Sequence, residues 1–366
     1  MRPNRNPLAF AAIASSLLLA ACGANPQPLY GPMQQSYFQA LGRSSGSLQM
    51  HVMPDSGPDF MHNAVTRARR SVQIECYMLT EKTLIQDVIA AKKRGVQVQV
   101  MLEQHPYMGP NPSPTGPNQS TAKTLAQAGI QVRWTSRKFR YTHAKILLVD
   151  GQTAFVSSAN FTYSGLNKNR EYIVTDTQSQ DVAELERMYQ ADYAYNSFTP
   201  SATDLVISPV NSRAGLFELM KSAKHDIKIQ DEEAGDPALD QLLKTKLAEG
   251  VHVEALLGAE KSTPAPGEPY TEPGNVVTGR TWSSYGAQVR FQSSPYLHAK
   301  AIVVDGQAMY VGSVNLSTNS MDNNREVGIV VHQADLINPV LNAFASDWSR
   351  ADATAQASDL FPMFGT

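Results

Sequence analysis

The chain has 366 residues, enough to bury one large core or two domains of ordinary size. Thirty-one basic against 33 acidic side chains leave a formal charge of −2. That balance gives no support for a broad polyanion-binding surface, although local basic pockets stay open to it.

The amino terminus reads as a processing signal over residues 1–21. Arg2 and Arg5 make a positive stretch, and the apolar run 8–20 is too short to span a bilayer. It ends Leu19-Ala20-Ala21-Cys22-Gly23, which resembles the lipobox of bacterial lipoproteins. That resemblance implies a lipidated Cys22 as the first mature residue and, with Gly23 after it, attachment to the outer membrane facing the periplasm. Cys76 is then the remaining thiol, without a disulfide partner or a second cysteine for a metal site. In the strand-like run 72–77 it reads as a small buried hydrophobe. Residues 22–47, rich in Pro, Gly, Gln and Ser, read as a tether.

From Leu48 on, short apolar runs alternate with helical periodicity. The pattern predicts strands over 48–53, 71–77, 96–102 and 130–134, and helices over 59–70, 83–94 and 120–128. Strand–helix–strand alternation implies parallel pairing with helices on the sheet faces. A loop at 104–119 carries five prolines and two glycines. A strand at 172–176 and a helix at 180–195 follow the stretch beginning at His143.

That stretch, His143 to Glu171, recurs as His298 to Glu326. The offset is 155 residues (298 − 143) throughout, and 13 of the 29 positions are identical. A period this long marks a duplicated domain, not an array of small repeats. The second copy predicts strands at 205–208, 226–230 and 251–257, helices at 212–221 and 237–249, and a second Pro/Gly-rich loop at 263–274. Segments 276–285 and 288–291 complete it, and the chain closes on a helix through Trp348. The halves are thus 48–200 and 201–366, each an α/β unit with a mixed sheet flanked by helices, related by a pseudo-two-fold axis. The two proline-rich loops follow matching strands, so they should project from equivalent edges, where open α/β sheets bind ligands.

Runs 145–149 and 153–157 flank Asp150-Gly151, a hairpin signal, because the turn needs positive φ. Asp150 and Asp305 therefore belong at a turn, away from chemistry at the strand start. His143 and Lys145 are two apart and share a strand face, as do His298 and Lys300. Ser158 and Asn160, and again Ser313 and Asn315, repeat the spacing where the second arm ends. Such a set suits an anionic tetrahedral group: Lys supplies charge, Ser and Asn supply donors, and His exchanges protons near neutrality. Glu171 and Glu326 each lie 28 residues after their histidine. Each could accept a bond from the imidazole and set its tautomer, or else pair with Arg170 or Arg325. Displacement at phosphorus needs a nucleophile on one side and a proton donor on the other, which a facing pair of histidines supplies.

With these residues in place the sequence resembles the phospholipase D superfamily. Its motif, His-x-Lys-x4-Asp-x6-Gly-Ser-x-Asn, stands as His143, Lys145, Asp150, Ser158 and Asn160, then as His298, Lys300, Asp305, Gly312, Ser313 and Asn315; Ser157 replaces the first glycine. The resemblance implies one active site between two halves and a covalent phosphohistidine, with no metal and no cofactor. It implies His143 as nucleophile and His298 as general acid, then base. Lys145, Lys300, Asn160 and Asn315, joined by Ser158 and Ser313, would hold the phosphate oxygens. Asp150 and Asp305 stay structural.

The family's motif does not separate phospholipases, phosphatidyltransferases and nucleases. A lipid anchor beside phospholipid raises the effective concentration of that substrate, and the acidic balance counts against nucleic acid. The expectation is a monomeric phospholipase D-type enzyme that hydrolyses or transphosphatidylates phospholipid. An envelope nuclease comes second, and a catalytically silent binding protein third.

Overall fold

The computed structural model describes residues 47–107, 116–201, 204–259, 272 and 274–352. The leader, Cys22, all of the tether except Ser47, the centre of the first proline-rich loop and nearly all of the second lie outside the described residues.

The first half runs β1 (Leu48–Met53), α1 (Asp59–Arg67), β2 (Ser71–Cys76), α2 (Lys82–Lys93), β3 (Gln97–Leu102), α3 (Pro117–Gln127) and β4 (Val132–Trp134). It continues through β5 (Lys145–Val149), β6 (Thr153–Ser157), α4 (Tyr163–Asn167), β7 (Glu171–Asp176) and α5 (Ser179–Tyr193). The second half runs β8 (Leu205–Ser208), α6 (Ser212–Lys221), β9 (Asp226–Asp231), α7 (Pro237–Ala248), β10 (His252–Gly258), α8 (Gly274–Ser284) and β11 (Gln288–Gln292). Its remainder is β12 (Lys300–Val304), β13 (Ala308–Gly312), α9 (Thr318–Asp322), β14 (Glu326–Val331) and α10 (Ala334–Arg350).

Local chemistry sets many of these boundaries. Glu81 caps α2 by accepting the Leu84 N–H at 2.5 Å, and Asp236 caps α7 through Ala238 and Leu239, with Pro237 at the first helical position. Gly95 and Gly250 adopt φ of 90° and 87° just past these two helices, where the chain must turn left-handed. The last residues of the first proline-rich loop begin α3, because Pro117 suits a helix start.

Each half holds one seven-stranded mixed sheet, ordered β1-β7-β6-β5-β2-β3-β4 and, equivalently, β8-β14-β13-β12-β9-β10-β11. Among the described strands of the two sheets, parallel pairing is confined to β2–β3–β4 and β9–β10–β11. Here the structure departs from the alternation in the sequence. Although α1 joins β1 to β2, β1 lies at the sheet edge, antiparallel to β7. The hairpin β5–β6 and β7 stand between them, since a tight turn makes antiparallel neighbours.

The two sheets pack face to face over a common core, with helices covering the outer faces. Ile146 and Leu148 of β5, and Ala301 and Val303 of β12, enter that central core; Leu147, Val149, Ile302 and Val304 face the outer helices. Burial on both faces explains why β5 and β12 read as unbroken apolar runs. Leu185 and Met188 of α5, and Ile337 and Val340 of α10, also join the central core. Each such side chain contributes roughly 1.5–3 kcal/mol by leaving water, so the halves are bound as firmly as parts of one domain.

This packing brings the repeated motifs to one edge. β2 and β9 end at Cys76 and Asp231, directly opposite Lys145 and Lys300 where β5 and β12 begin. The carboxyl ends of the parallel strands and both His-x-Lys pairs therefore share an edge.

Candidate active site

The hairpin turns are built on positive φ at Asp150 (57°), Gly151 (63°), Asp305 (52°) and Gly306 (63°). The Asp150 carboxylate accepts backbone N–H groups of Arg69, Arg70 and Ser71 at 2.7–3.1 Å, and Asp305 those of Lys224, His225 and Asp226 at 2.7–2.9 Å. Burial alone would raise both carboxyls, but these backbone donors outweigh it and hold them below the ordinary carboxylate range. Each Asp ties its hairpin to the loop leading into β2 or β9, at the opposite end of the strand from the histidine.

At the near end, Lys145 is fully buried and its Nζ donates to the His143 carbonyl at 2.5 Å. Lys300 does the same to His298 at 2.5 Å. Burial pulls the Lys145 ammonium down to about 8 against the opposing pull of Glu326; burial also lowers Lys300, but Glu232, Glu171 and Asp231 together outweigh it and keep its ammonium above the ordinary lysine value.

The glutamates are crossed. His143 Nδ1 lies 2.9 Å from Glu326 Oε2, and His298 Nδ1 lies 2.7 Å from Glu171 Oε1. Each imidazole is therefore oriented by the carboxylate of the other half, not by the one 28 residues downstream. The backbone enforces the exchange. His143 N–H donates to the Arg325 carbonyl at 2.8 Å and Arg325 N–H to Tyr141 at 2.9 Å; Arg170 N–H donates to Tyr296 at 2.9 Å and His298 N–H to Arg170 at 3.2 Å. These two short bridges set Arg-Glu of one half beside the histidine of the other. The arginines are engaged elsewhere: Arg170 with Asp347 at 2.6 Å and Arg325 with Asp192 at 2.8 Å. Glu326 also accepts from Ser320 at 2.7 Å and Asn324 at 3.0 Å.

Ser158 and Ser313 occupy a different place from the one the sequence suggests. Both are fully buried behind the imidazoles. Ser158 Oγ donates to Glu171 at 2.6 Å and accepts the Tyr172 N–H at 2.9 Å, and Ser313 Oγ accepts the Val327 N–H at 3.0 Å. They brace the first residues of β7 and β14 and are not among the residues that line the cleft. Asn160 and Asn315 do line the cleft, and their Oδ1 atoms are buried with no hydrogen-bond partner among the described residues. An acceptor buried in that state costs about 1–3 kcal/mol, a cost that only a donor could relieve and a phosphate oxygen could not.

Two further side chains lie against the imidazoles and were not among the residues read from the sequence. Tyr77 packs edge-on against His143, with ring centroids 4.6 Å apart. Glu232 Oε2 lies 2.7 Å from Lys300 Nζ and 3.2 Å from His298 Nε2. Burial would raise the Glu232 carboxyl, but His298 and Lys300 hold it down to about 2. Burial lowers His143 to about 4 despite Glu326, so that ring is neutral at pH 7, and Glu326 is held low chiefly by His143 against burial. The buried Cys76 thiol is pushed up to about 11 and takes no part in the cleft.

Both halves line a single cleft of about 790 Å³ containing His143, Asn160, His298, Asn315, Tyr77 and Glu232. Tyr107 and Pro117, both within the first proline-rich loop, line part of it. Among the described residues no helix is long and apolar enough to cross a membrane.

A family model described as cardiolipin synthase, PLD-like domain matches this chain twice, over residues 61–193 and 216–348. Of its relatives, the cardiolipin synthase of Oceanobacillus iheyensis is 24% identical over 331 residues, covering 80% of this chain and 67% of that protein. Among solved structures, phosphatidylserine synthase from Haemophilus influenzae is similar with a TM-score of 0.65 at 12% identity, covering 87% of this chain and 89% of that one. Polyphosphate kinase from Porphyromonas gingivalis gives 0.63 at 14% identity, covering 85% and 52%. At those identities the two structures speak to the fold alone.

Proposed function

Since this chain belongs to the phospholipase D superfamily, we propose that it breaks a phosphodiester bond of a membrane phospholipid and hands the phosphatidyl group to water or an alcohol. The observation carrying this reading is the pair of crossed His–Glu contacts opening on one cleft. With Nδ1 of each ring turned to a carboxylate, Nε2 is the nitrogen available to substrate. His143, kept neutral by burial, attacks phosphorus through its Nε2 lone pair. The phosphorus–oxygen bond to the leaving alcohol breaks, and His298 gives that oxygen its Nε2 proton. In the second half His298 takes a proton from the incoming water or alcohol, whose oxygen displaces His143 and restores the free enzyme.

Lys145 and Lys300 supply positive charge to the non-bridging oxygens, and the amides of Asn160 and Asn315, turned with their N–H groups inward, donate to them. Asp150, Asp305, Ser158 and Ser313 hold the frame. The likeness to a cardiolipin synthase favours a phospholipid over a nucleic acid.

The test uses vesicles of phosphatidylglycerol or phosphatidylethanolamine in buffer with chelator. Phosphatidic acid or a new phosphatidyl ester should form, and His143→Ala and His298→Ala should each abolish it. The acid limb of activity should lie near pH 4, where His143 gains its proton. A metal requirement, or turnover surviving either substitution, sinks the mechanism. Nucleotide release from single-stranded DNA without phosphatidic acid sinks the substrate assignment.

A further inference from the structure

The 155-residue offset sets Tyr77 of the first half against Glu232 of the second. Around them the halves agree: His with His, Lys with Lys, Asn with Asn, and a crossed Glu with a crossed Glu. At this position an uncharged ring meets His143, while a carboxylate meets His298.

The consequence is a difference in protons. Glu171 lies 2.7 Å from Nδ1 of His298 and Glu232 lies 3.2 Å from Nε2. An ionised carboxylate offers only acceptor sites, so approaches this close at both nitrogens are attractive only where both carry hydrogen. The groups facing this ring are Glu171 from β7, Glu232 after β9, Lys300 on β12, and the Tyr296 ring with its centroid 6.5 Å away. His143 lies across the cleft. Two carboxylates and one ammonium thus face the ring, and the Lys300 ammonium is itself bonded to Glu232 at 2.7 Å.

His143 has one carboxylate, Glu326, at Nδ1. On its other side Tyr77 presents a ring whose hydroxyl already accepts the Tyr107 N–H at 2.5 Å. Burial pushes the Tyr77 phenol well up, so it supplies no anion. Nε2 of His143 keeps its lone pair.

We infer that Glu232 makes the two histidines unequal by holding a proton on Nε2 of His298, which fixes His298 as the acid and leaves His143 as the nucleophile. The inference rests on the phosphodiester reading above and assigns Glu232 as a positioning residue within it. When substrate enters, the leaving oxygen takes the place of Glu232 Oε2 beside Nε2. Tyr296 Oη, 3.1 Å from Oε1, and Lys300 retain the carboxylate. The proton passes from Nε2 to the departing alkoxide, and His298 is left neutral, as the second half-reaction needs.

The experiment compares two esters in the full chain. Phosphatidylglycerol expels an alkoxide that needs a proton; phosphatidyl-p-nitrophenol expels a phenolate that does not. Glu232→Gln should slow the first on the order of 100-fold and leave the second within about threefold, since its departure needs no acid. Nitrogen-15 spectra of the imidazoles at pH 7 should show His298 protonated at both nitrogens in the parent and losing the Nε2 proton in Glu232→Gln. Equal slowing of both esters, or an imidazolium that persists without the carboxylate, overturns the inference. A parent chain that cleaves neither ester overturns the phospholipid reading instead, and the nitrogen spectra still report whether Glu232 holds the proton.

Discussion

Glu326 begins β14 in the second half, yet its carboxylate belongs chemically to His143 in the first. A substitution there should read out on the other half's chemistry. Glu326→Gln replaces the charged acceptor that orients the nucleophile with a neutral amide and should slow both the alkyl and the p-nitrophenyl ester, by on the order of 10²–10⁴. Glu171→Gln acts on the acid and should spare the p-nitrophenyl ester in single-turnover measurements. The reverse pattern would show that each carboxylate serves its own copy. The sequence exposed both glutamates but not their exchange, because a 28-residue interval is the same in each half whichever histidine is the partner. Glu232 escaped notice for a related reason: the repeat draws attention to identities, and Glu232 opposite Tyr77 is a difference. The exchange of Ser157 for Gly312 also has a physical reason that neither copy shows alone. Ala159 N–H donates to Ser157 Oγ at 2.9 Å in the first half; the equivalent Val314 N–H donates to the Tyr310 hydroxyl at 2.9 Å in the second. Room for that tyrosine requires glycine at 312 and 328, since a Cβ at either would collide with its hydroxyl.

The hairpins β5–β6 and β12–β13 were the elements most legible in advance, their arms predicted at 145–149 and 153–157 and found there. An apolar run, an Asp-Gly turn and a second apolar run specify a hairpin locally. The pairing of β1 was not legible, since it depends on β7, more than a hundred residues away. Nor were α4 and α9, five residues each, too short for a helical period to register. The Asp of each turn should act on stability, not on phosphorus. Asp150→Asn or Asp305→Asn replaces a charged acceptor of backbone N–H groups at a partly exposed site, and should cost about 1 kcal/mol of unfolding free energy after solvent screening, with turnover unchanged. Because each folded carboxyl titrates below its unfolded value, its stabilisation is present at neutral pH and lost as pH falls through the folded value. Denaturant titrations of parent and variant at pH 7 and below the ordinary carboxylate range should therefore converge. A deficit that persists at low pH would contradict the assignment.

Across the whole molecule, duplication, two mixed sheets and their pseudo-two-fold relation followed from the 155-residue offset, whereas the depth of the union did not. The central core draws on β5, β6 and β7 from one side and β12, β13 and β14 from the other, together with α5 and α10. Separating the halves would expose that core while each outer core stayed intact, so neither half is stable by itself to the same degree. Calorimetry should record one cooperative transition with matching calorimetric and van't Hoff enthalpies. Two resolved transitions would mean that the outer cores dominate. The crossed bridges at Arg170 and Arg325 also bear on how activity responds to dilution. A protein built from one such half could assemble a site only by meeting a second molecule, and its specific activity would fall with concentration. Here the encounter is between two stretches of the same polypeptide, so the local concentration of one histidine at the other is set by the chain. The reaction stays first order in enzyme however dilute the protein becomes.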